Sequence, residues 1–369
     1  MHVLHIVASG TRRGAEVFAS DLVRTLDLSG VAQTVAVLRG TGHMVTYDAP
    51  VVSLARNGHA LPGIGMDPRA VMRLRELVRG SVPDVVQAHG GEALKYAVAS
   101  TFGLRVPVVY RRIGPTTDRT AHGLRNAAYA ALMSRARRVV AVAEALRGEL
   151  IEVFHVPADR VVTIPNGVDP ARLVPTTDRA RVRRSLGIPR DAPVALFLGA
   201  LTWEKDPMVM VEVAGHVMVS QPNARVLVVG DGPLNRPVEA AIRERLLSDR
   251  VHMLGSRADV ADLLATSDVL LFTSRSEGMP ASVIEAAMLG IPTASFSVGG
   301  VPEVVEHGAT GLLAAPGERS RLAAHVVRLL EDVELRRHMG RAARERSLAR
   351  FDVHVIAPRY LALYEELVA

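Results

Sequence analysis

Ser276-Glu277-Gly278-Met279-Pro280-Ala281-Ser282-Val283-Ile284-Glu285 is the stretch that decides the fold. Just before it, Asp268-Val269-Leu270-Leu271-Phe272 is a short apolar run of the kind a buried strand presents. Behind it, Ala281 to Leu289 has helical character, and Gly290 followed by Pro292 closes the helix. Pro280 suits the first helical position, where a missing N–H costs nothing. The spacing predicts strand, loop, helix, with one carboxylate in the loop and a second inside the second helical turn. The N–H groups of Ala281, Ser282 and Val283 would turn the positive end of the helix toward the loop. That is a seat for phosphate. Glu277 stands beside it, and Glu285 lies about 7 Å further along the helix. One helix start could then hold a phosphate while two carboxylates accept hydrogen bonds from hydroxyls, which is what a sugar nucleotide needs. A loop Glu and a helical Glu also occur simply because both complement the dipole.

Outward from this unit the same rhythm recurs. In the first half, Val3 to Ala8, Gln33 to Leu38, Val51 to Ser53, Asp84 to Gln87, Val106 to Tyr110, Arg138 to Val142 and Val161 to Ile164 read as strands. Helices such as Ala15 to Leu26 and Pro68 to Arg79 lie between them. The alternation predicts an α/β protein with parallel sheets covered on both faces. Ligands of such sheets bind at the carboxyl ends of the strands, so the loops that follow strands are the candidate sites. A chain of 369 residues is long enough for two such domains with full cores.

Composition narrows the classes. Aromatic residues make up 4% and do not interleave with basic ones, which argues against a nucleic-acid platform. Cysteine is absent, which rules out disulfides and thiolate metal sites and fits a reducing compartment. No apolar run reaches the roughly 18 residues of a membrane span, and Met1 to Ser9 reads as a first strand, not a leader. The net charge of +6 suits either an anionic membrane surface or a phosphorylated substrate, or reflects an arginine-rich composition. The basic stretch Arg336 to Arg350 reads as a solvated face, with peripheral membrane contact as the alternative. These features place the protein in the cytoplasm, with the inner membrane surface as the alternative site.

Glu277 to Glu285 is an E-x7-E pattern in the form EGMPxxxxE, and it resembles the donor-binding motif of retaining glycosyltransferase family 4. Gly299-Gly300-Val301-Pro302-Glu303, Gly308-Ala309-Thr310-Gly311, Val229-Gly230-Asp231-Gly232-Pro233 and Asn166-Gly167-Val168-Asp169 resemble further segments of that family. The resemblance is strong from Val194 to Leu313 and thinner before Asn166. It implies two Rossmann-like doubly wound domains facing a cleft, the GT-B architecture. The expected division is an acceptor-side domain over 1–170, a nucleotide-sugar domain over 171–350, and a closing helix over 351–369 that returns to the first domain.

The same resemblance implies roles for individual residues. Glu277 would lie by the transferred sugar and Glu285 would hold the ribose. Gly278, Met279, Pro280 and Ala281 would form the phosphate seat, and the loop at Ser256 and Arg257 would read the base. Lys205, in Gly199-Ala200-Leu201-Thr202-Trp203-Glu204-Lys205-Asp206, would neutralise the diphosphate, and Gly14 would approach it from the first glycine loop. His89, after the Asp84-Val85-Val86 run, would touch sugar or acceptor. The chain departs from the pattern at three places. Ala200 replaces the usual Arg, Asp206 replaces the usual Gly, and Arg111-Arg112 stand where many members carry a His. Arg111, Arg112 and Arg12 are candidate acceptor or phosphate contacts, and Arg275 or Arg12 could stand in for the Arg missing at 200. The implied reaction is metal-independent, retaining transfer of a hexose or N-acetylhexosamine from a nucleotide sugar, UDP-linked ahead of GDP-linked. The acceptor would be a saccharide, a lipid-linked saccharide or a small polar natural product, with no resident cofactor. A sugar-nucleotide 2-epimerase and a non-catalytic nucleotide-binding partner subunit are the alternatives.

Overall fold

A computed structural model of the chain describes residues 1–11, 13–40, 45–54, 65–115 and 123–369. It divides into two compact units. Unit 1 is Met1–Val168 with Val353–Ala369, and unit 2 is Asp169–Asp352.

Unit 1 carries strands β1 (His2–Ser9), β2 (Ala32–Arg39), β3 (Val51–Ser53), β4 (Val85–His89), β5 (Val108–Arg112), β6 (Arg138–Ala141) and β7 (Val161–Thr163). Its helices are α1 (Gly14–Asp27), α2 (Pro68–Ser81), α3 (Gly91–Thr101), α4 (Gly123–Met133) and α5 (Glu144–Glu152), with the last helix of the chain, α14 (Val353–Val368), added at the end. The strands lie in the order β3-β2-β1-β4-β5-β6-β7 and every pairing is parallel. Order reverses between β1 and β4, which makes the end of that strand pair the natural ligand crevice of this sheet. The sheet strands are apolar on both faces, as a doubly covered parallel sheet requires. On one face Phe18, Leu22 and Leu26 of α1 and Ile356, Tyr360 and Tyr364 of α14 pack with Val3, Val85, Val109 and Val140.

Two of the expected strands run further than their sequence suggests. His89 pairs in register with Val7 and Arg111, and Arg111 and Arg112 pair with Val140 and Ala141. His89, Arg111 and Arg112 are therefore strand residues, not residues of the loops that follow. Parallel ladders on both sides of β4 and β5 hold their last residues in the sheet. The period-2 alternation of β5 then sends Arg111 toward α1 and α14 and Arg112 toward α4 and α5.

Unit 2 carries β8 (Val194–Leu198), β9 (Arg225–Val229), β10 (Val251–Gly255), β11 (Val269–Phe272), β12 (Thr293–Phe296) and β13 (Gly311–Ala314) in the order β10-β9-β8-β11-β12-β13, again all parallel. Its helices are α6 (Arg179–Ser185), α7 (Pro207–Ser220), α8 (Asn235–Glu244), α9 (Val260–Thr266), α10 (Ala281–Met288), α11 (Val301–Val304), α12 (Arg319–Glu331) and α13 (Val333–Phe351). The reversal here falls between β8 and β11. The loops after these strands are 199–206 and 273–280, which hold Lys205 and Glu277. On α13, Met339, Ala343, Ser347 and Phe351 are buried, while Arg337, Arg341, Arg344 and Arg350 lie on the exposed side. Among the described residues no helix is long and apolar enough to cross a membrane.

Candidate active site

In unit 2 the sheet brings two loops together. Thr273 donates its hydroxyl to the carbonyls of Lys205 and Asp206 (3.0 Å each), and the Arg275 N–H donates to the Glu204 carbonyl at 2.8 Å. The Lys205 ammonium then meets the Glu277 carboxylate at 2.5 Å, with side-chain exposures of 26% and 10%. Lys205 also sits 5.2 Å from the Phe272 ring centroid, a contact that favours a cation. The pair sits at the crevice edge of the sheet, and its half-buried ammonium is the more accessible partner.

Glycines hold this arrangement by letting backbones meet. A Cβ on Gly230 would lie 1.9 Å from the Gly199 carbonyl oxygen, and one on Gly232 would lie 2.4 Å from that of Leu201. The Gly230-Asp231-Gly232 segment thus props the 199–201 loop. Leu201 N–H confirms the contact by donating to the Asp231 carbonyl at 3.0 Å. Gly299 does the same for the Glu277 loop. Its φ is +49°, a built Cβ would lie 1.8 Å from the Glu277 carbonyl oxygen, and Gly300 N–H donates to the Gly278 carbonyl at 2.9 Å.

The helix start differs in detail from the sequence expectation. Pro280 is the N-cap of α10, not its first residue, and its carbonyl accepts from the N–H groups of Val283 (3.2 Å) and Ile284 (3.3 Å). Val283 is thereby removed from the donors expected to face the loop. Gly278, Met279 and Pro280 are buried, while Ala281 and Ser282 are half-buried. Glu285 has a partner the sequence did not disclose. Arg172, in the 3-10 turn Pro170–Leu173, donates to its carboxylate at 3.3 Å. Asp169 opens that turn by accepting from Ala171 N–H at 2.8 Å, so the Asn-Gly-Val-Asp segment delivers Arg172. No local pattern in the sequence links positions 172 and 285. Ser256 and Arg257 are exposed after the edge strand β10, and Arg257 makes a two-point pair with Asp259 at 2.8 and 2.6 Å.

Arg275, considered as a stand-in for the Arg missing at Ala200, places its Nε 2.6 Å from Asp206 and its guanidinium carbon 5.0 Å from the Trp203 ring centroid. Asp206 adopts φ +45°, the left-handed conformation that glycine takes most easily. Its side chain accepts from Val209 N–H at 3.4 Å and so caps α7. Arg12 lies outside the described residues.

In unit 1, Gly14 opens α1, exposed and with nothing within 4 Å of a built Cβ. Nearby, Ser9 donates to the buried Glu16 carboxylate at 3.0 Å, and burial raises the Glu16 pKa. His89 is 2% exposed, stacked on His5 with ring centroids 5.4 Å apart, and its Nε2 meets Nδ1 of His5 at 3.1 Å. The other nitrogen of His5 meets Gln33 at 3.1 Å. Burial lowers the pKa of His5 to about 4 and that of His89 well below its ordinary value, so both are neutral at pH 7. Arg111 is fully buried. Its guanidinium lies 3.8 Å from the Phe18 ring centroid and donates to Asn166. Arg112 donates to Glu149 at 3.0 Å. His5 and Gln33 were not among the residues the sequence singled out, and Asn166 was quoted there only within the Asn-Gly-Val-Asp segment, because each acts on a partner more than 25 positions away.

Two family descriptions match consecutive stretches of the chain: Glycosyltransferase Family 4 over residues 12–172 and Glycosyl transferases group 1 over residues 178–346. The chain belongs to glycosyltransferase family 4. It is 31% identical over 230 residues to the N-acetyl-alpha-D-glucosaminyl L-malate synthase of Bacillus anthracis, a match that takes in 62% of this chain and 60% of that protein. It is 31% identical over 257 residues to the 2-deoxystreptamine glucosyltransferase of Streptomyces kanamyceticus, covering 69% of this chain and 66% of that one. The chain thus matches about three-fifths to two-thirds of the length of these relatives. Among solved structures it resembles Anabaena HepE in complex with UDP and glucose (TM-score 0.86, 23% identity, 99% of this chain and 100% of that chain). It likewise resembles the sucrose-phosphate synthase of Thermosynechococcus elongatus (TM-score 0.86, 19% identity, 99% and 98%). At these identities the likeness shows the fold, the two-domain α/β architecture of the family's GT-B members.

Proposed function

We propose that the protein is a retaining glycosyltransferase that moves a hexose or N-acetylhexosamine from a UDP-sugar to a hydroxyl of a small polar acceptor. The observation that carries this reading is the pairing of Lys205 with Glu277 at the strand-order reversal of unit 2, with Glu285 on the helix that follows. An arriving diphosphate would draw the Lys205 ammonium, which already projects from the loop, and would lie against the start of α10. Both act on the charge that grows as the leaving group departs, and this kind of stabilisation requires no resident metal. Released from Lys205, Glu277 would accept from hydroxyls of the sugar. Glu285, oriented by Arg172, would accept from the ribose. The anomeric C–O bond to the diphosphate breaks, the acceptor oxygen bonds to the same carbon from the same face, and the acceptor proton passes to the departing phosphate oxygen. His89 is neutral and buried, so in this reading it serves as a hydrogen-bond partner through Nδ1 and carries no proton in the reaction.

UDP is favoured because HepE, the solved structure of high likeness, was crystallised with UDP, with UDP and glucose, and with UDP-glucose. A small polar acceptor is favoured because similar proteins are named for L-malate, 2-deoxystreptamine and D-inositol 3-phosphate. Calorimetric titration of UDP, GDP and ADP into wild type and Glu285→Ala tests the donor assignment. UDP should bind, and the variant should weaken it tenfold or more. Binding of none of the three nucleotides would defeat the proposal; nucleotide binding without turnover of the matching nucleotide sugar would bring forward the partner-subunit reading that Ala200 supports.

A further inference from the structure

Unit 1 contains a cavity of about 540 Å³ at the carboxyl ends of β4 and β5, bounded by α3, α4 and Phe154. The size suits a small molecule. Its wall carries Arg39, Glu92, Lys95, Tyr110, Arg112 and Tyr129.

Most of the charge on this wall is already matched. Arg39 is paired with Glu92, and Arg112 with Glu149 behind it. Lys95 is different. It is half-buried and makes no hydrogen bond or ion pair among the described residues. Its ammonium lies on the wall, 3.8 Å from a Cβ built on Gly65. It stands four residues after Gly91, on the same face of α3, so the ammonium and the positive end of that helix act on one space. Glycine at 91 also lets the Tyr129 hydroxyl approach the helix start, since a Cβ there would lie 1.4 Å from it. Tyr129 and Arg112 both hydrogen-bond the Tyr110 hydroxyl, which fixes the aromatic floor of the cavity.

We propose that this cavity is the acceptor site and that it selects a small hydroxylated anion, a carboxylate or a phosphate ester, held by the Lys95 ammonium. The assignment of an acceptor rests on the transferase reading above; the anion selectivity rests on the cavity alone. One cation left uncompensated among the described residues of the wall, in a partly desolvated space, favours an anion and disfavours a cationic aminocyclitol. The rings of Tyr110 and Tyr129 line the same space and would orient the carbon skeleton.

The test is calorimetric titration of L-malate and glycerol 3-phosphate into wild type, Lys95→Met and Lys95→Arg, with and without UDP. Glycerol and 2-deoxystreptamine serve as the neutral and cationic controls. At least one anion should bind wild type at least tenfold more tightly than glycerol, and 2-deoxystreptamine should not bind. Lys95→Met should weaken that anion tenfold or more, Lys95→Arg should restore most of the loss, and UDP affinity should be the same in all three proteins. Whichever anion binds says whether the site takes a carboxylate or a phosphate. Anions that bind no better than glycerol, or that bind Lys95→Met as well as wild type, overturn the proposal even if UDP binds. Failure of UDP alone, with Lys95-dependent anion binding intact, defeats the donor reading and leaves the anion site standing.

Discussion

Gly299→Ala should damage the donor site through the backbone, although residue 299 contributes no side chain to it. A built Cβ lies 1.8 Å from the Glu277 carbonyl oxygen and 2.8 Å from its carbonyl carbon. Carbon and oxygen that are not bonded approach to about 3.3 Å, so one backbone must retreat by about 1.5 Å. No rotamer can relieve the contact, because both sides are main chain. The same movement strains the hydrogen bond from Gly300 N–H to the Gly278 carbonyl. Glu277 is thereby carried away from Lys205, and a misplacement of about 1 Å in a reacting geometry can cost on the order of a hundredfold in rate. Gly308→Ala is the control. It shares a positive φ, +82°, but a Cβ there meets nothing within 4 Å. It should cost about 1 kcal/mol in urea unfolding and leave UDP affinity unchanged. Gly299→Ala adds an overpacking cost and should lose about 2–5 kcal/mol, with UDP affinity down tenfold or more and UDP-glucose turnover down about a hundredfold. If Gly299→Ala is as stable as Gly308→Ala and keeps UDP affinity within threefold, the backbone contact does not position Glu277.

Two other perturbations probe separate parts of the molecule. His5 is held near pKa 4 by burial against an ordinary value of 6.5, so between those values the unfolded chain binds a proton that the folded one does not. Stability is full above pH 6.5 and should fall by about 2 kcal/mol on going to pH 5; His89 shifts in the same direction and adds to the loss. Urea midpoints at pH 7 and pH 5 measure this, and His5→Gln should reduce the difference; an unchanged difference would place the proton uptake elsewhere. Ala200→Arg should raise UDP affinity about tenfold, the scale of one hydrogen bond to a charged group, by supplying the guanidinium that the family pattern implies at this point. No gain in a calorimetric titration would mean that position 200 does not face the diphosphate.

The architecture was legible because periodicity and strand-helix alternation are local properties. Both sheets have the parallel, twice-covered form that the apolar runs predict, and Lys205 and Glu277, chosen from loops of unit 2, meet where strand order reverses, while Ser256 and Arg257 lie apart after the edge strand β10. The residues of unit 1 were placed less well, for a physical reason. Gln87-Ala88-His89 and Tyr110-Arg111-Arg112 put polar groups at strand ends, and a polar run after an apolar one reads as a loop. The structure keeps these groups inside the sheet because His5, Asn166 and Tyr364 supply partners from distant parts of the chain. Arg172 escaped notice likewise, since its partner Glu285 lies 113 positions away.

The two departures in the Lys205 loop separate once backbone and side chain are considered apart. At 206 the family pattern implies glycine, and φ at this position is +45°, which glycine adopts without a Cβ penalty. Asp206 keeps that conformation. Its carboxylate caps α7 through Val209 and pairs with Arg275 at 2.6 Å, interactions that offset a left-handed penalty of about 1–2 kcal/mol. The loop therefore retains the backbone path that presents Lys205 to Glu277, and the substitution alters its neighbours without altering its shape. At 200 the logic is different. The residue is exposed, its φ is ordinary, and the Arg275 that might replace the lost charge has its Nε on Asp206. What Asp206 gains by capping and pairing thus ties down the nearest substitute for the missing arginine. Lys205 is left as the cation of this loop that meets a site carboxylate. The prediction at Ala200 and the Lys205–Glu277 pair accordingly test one idea, that this chain would hold donor phosphates with less positive charge than the family pattern implies while keeping the backbone path that presents Lys205.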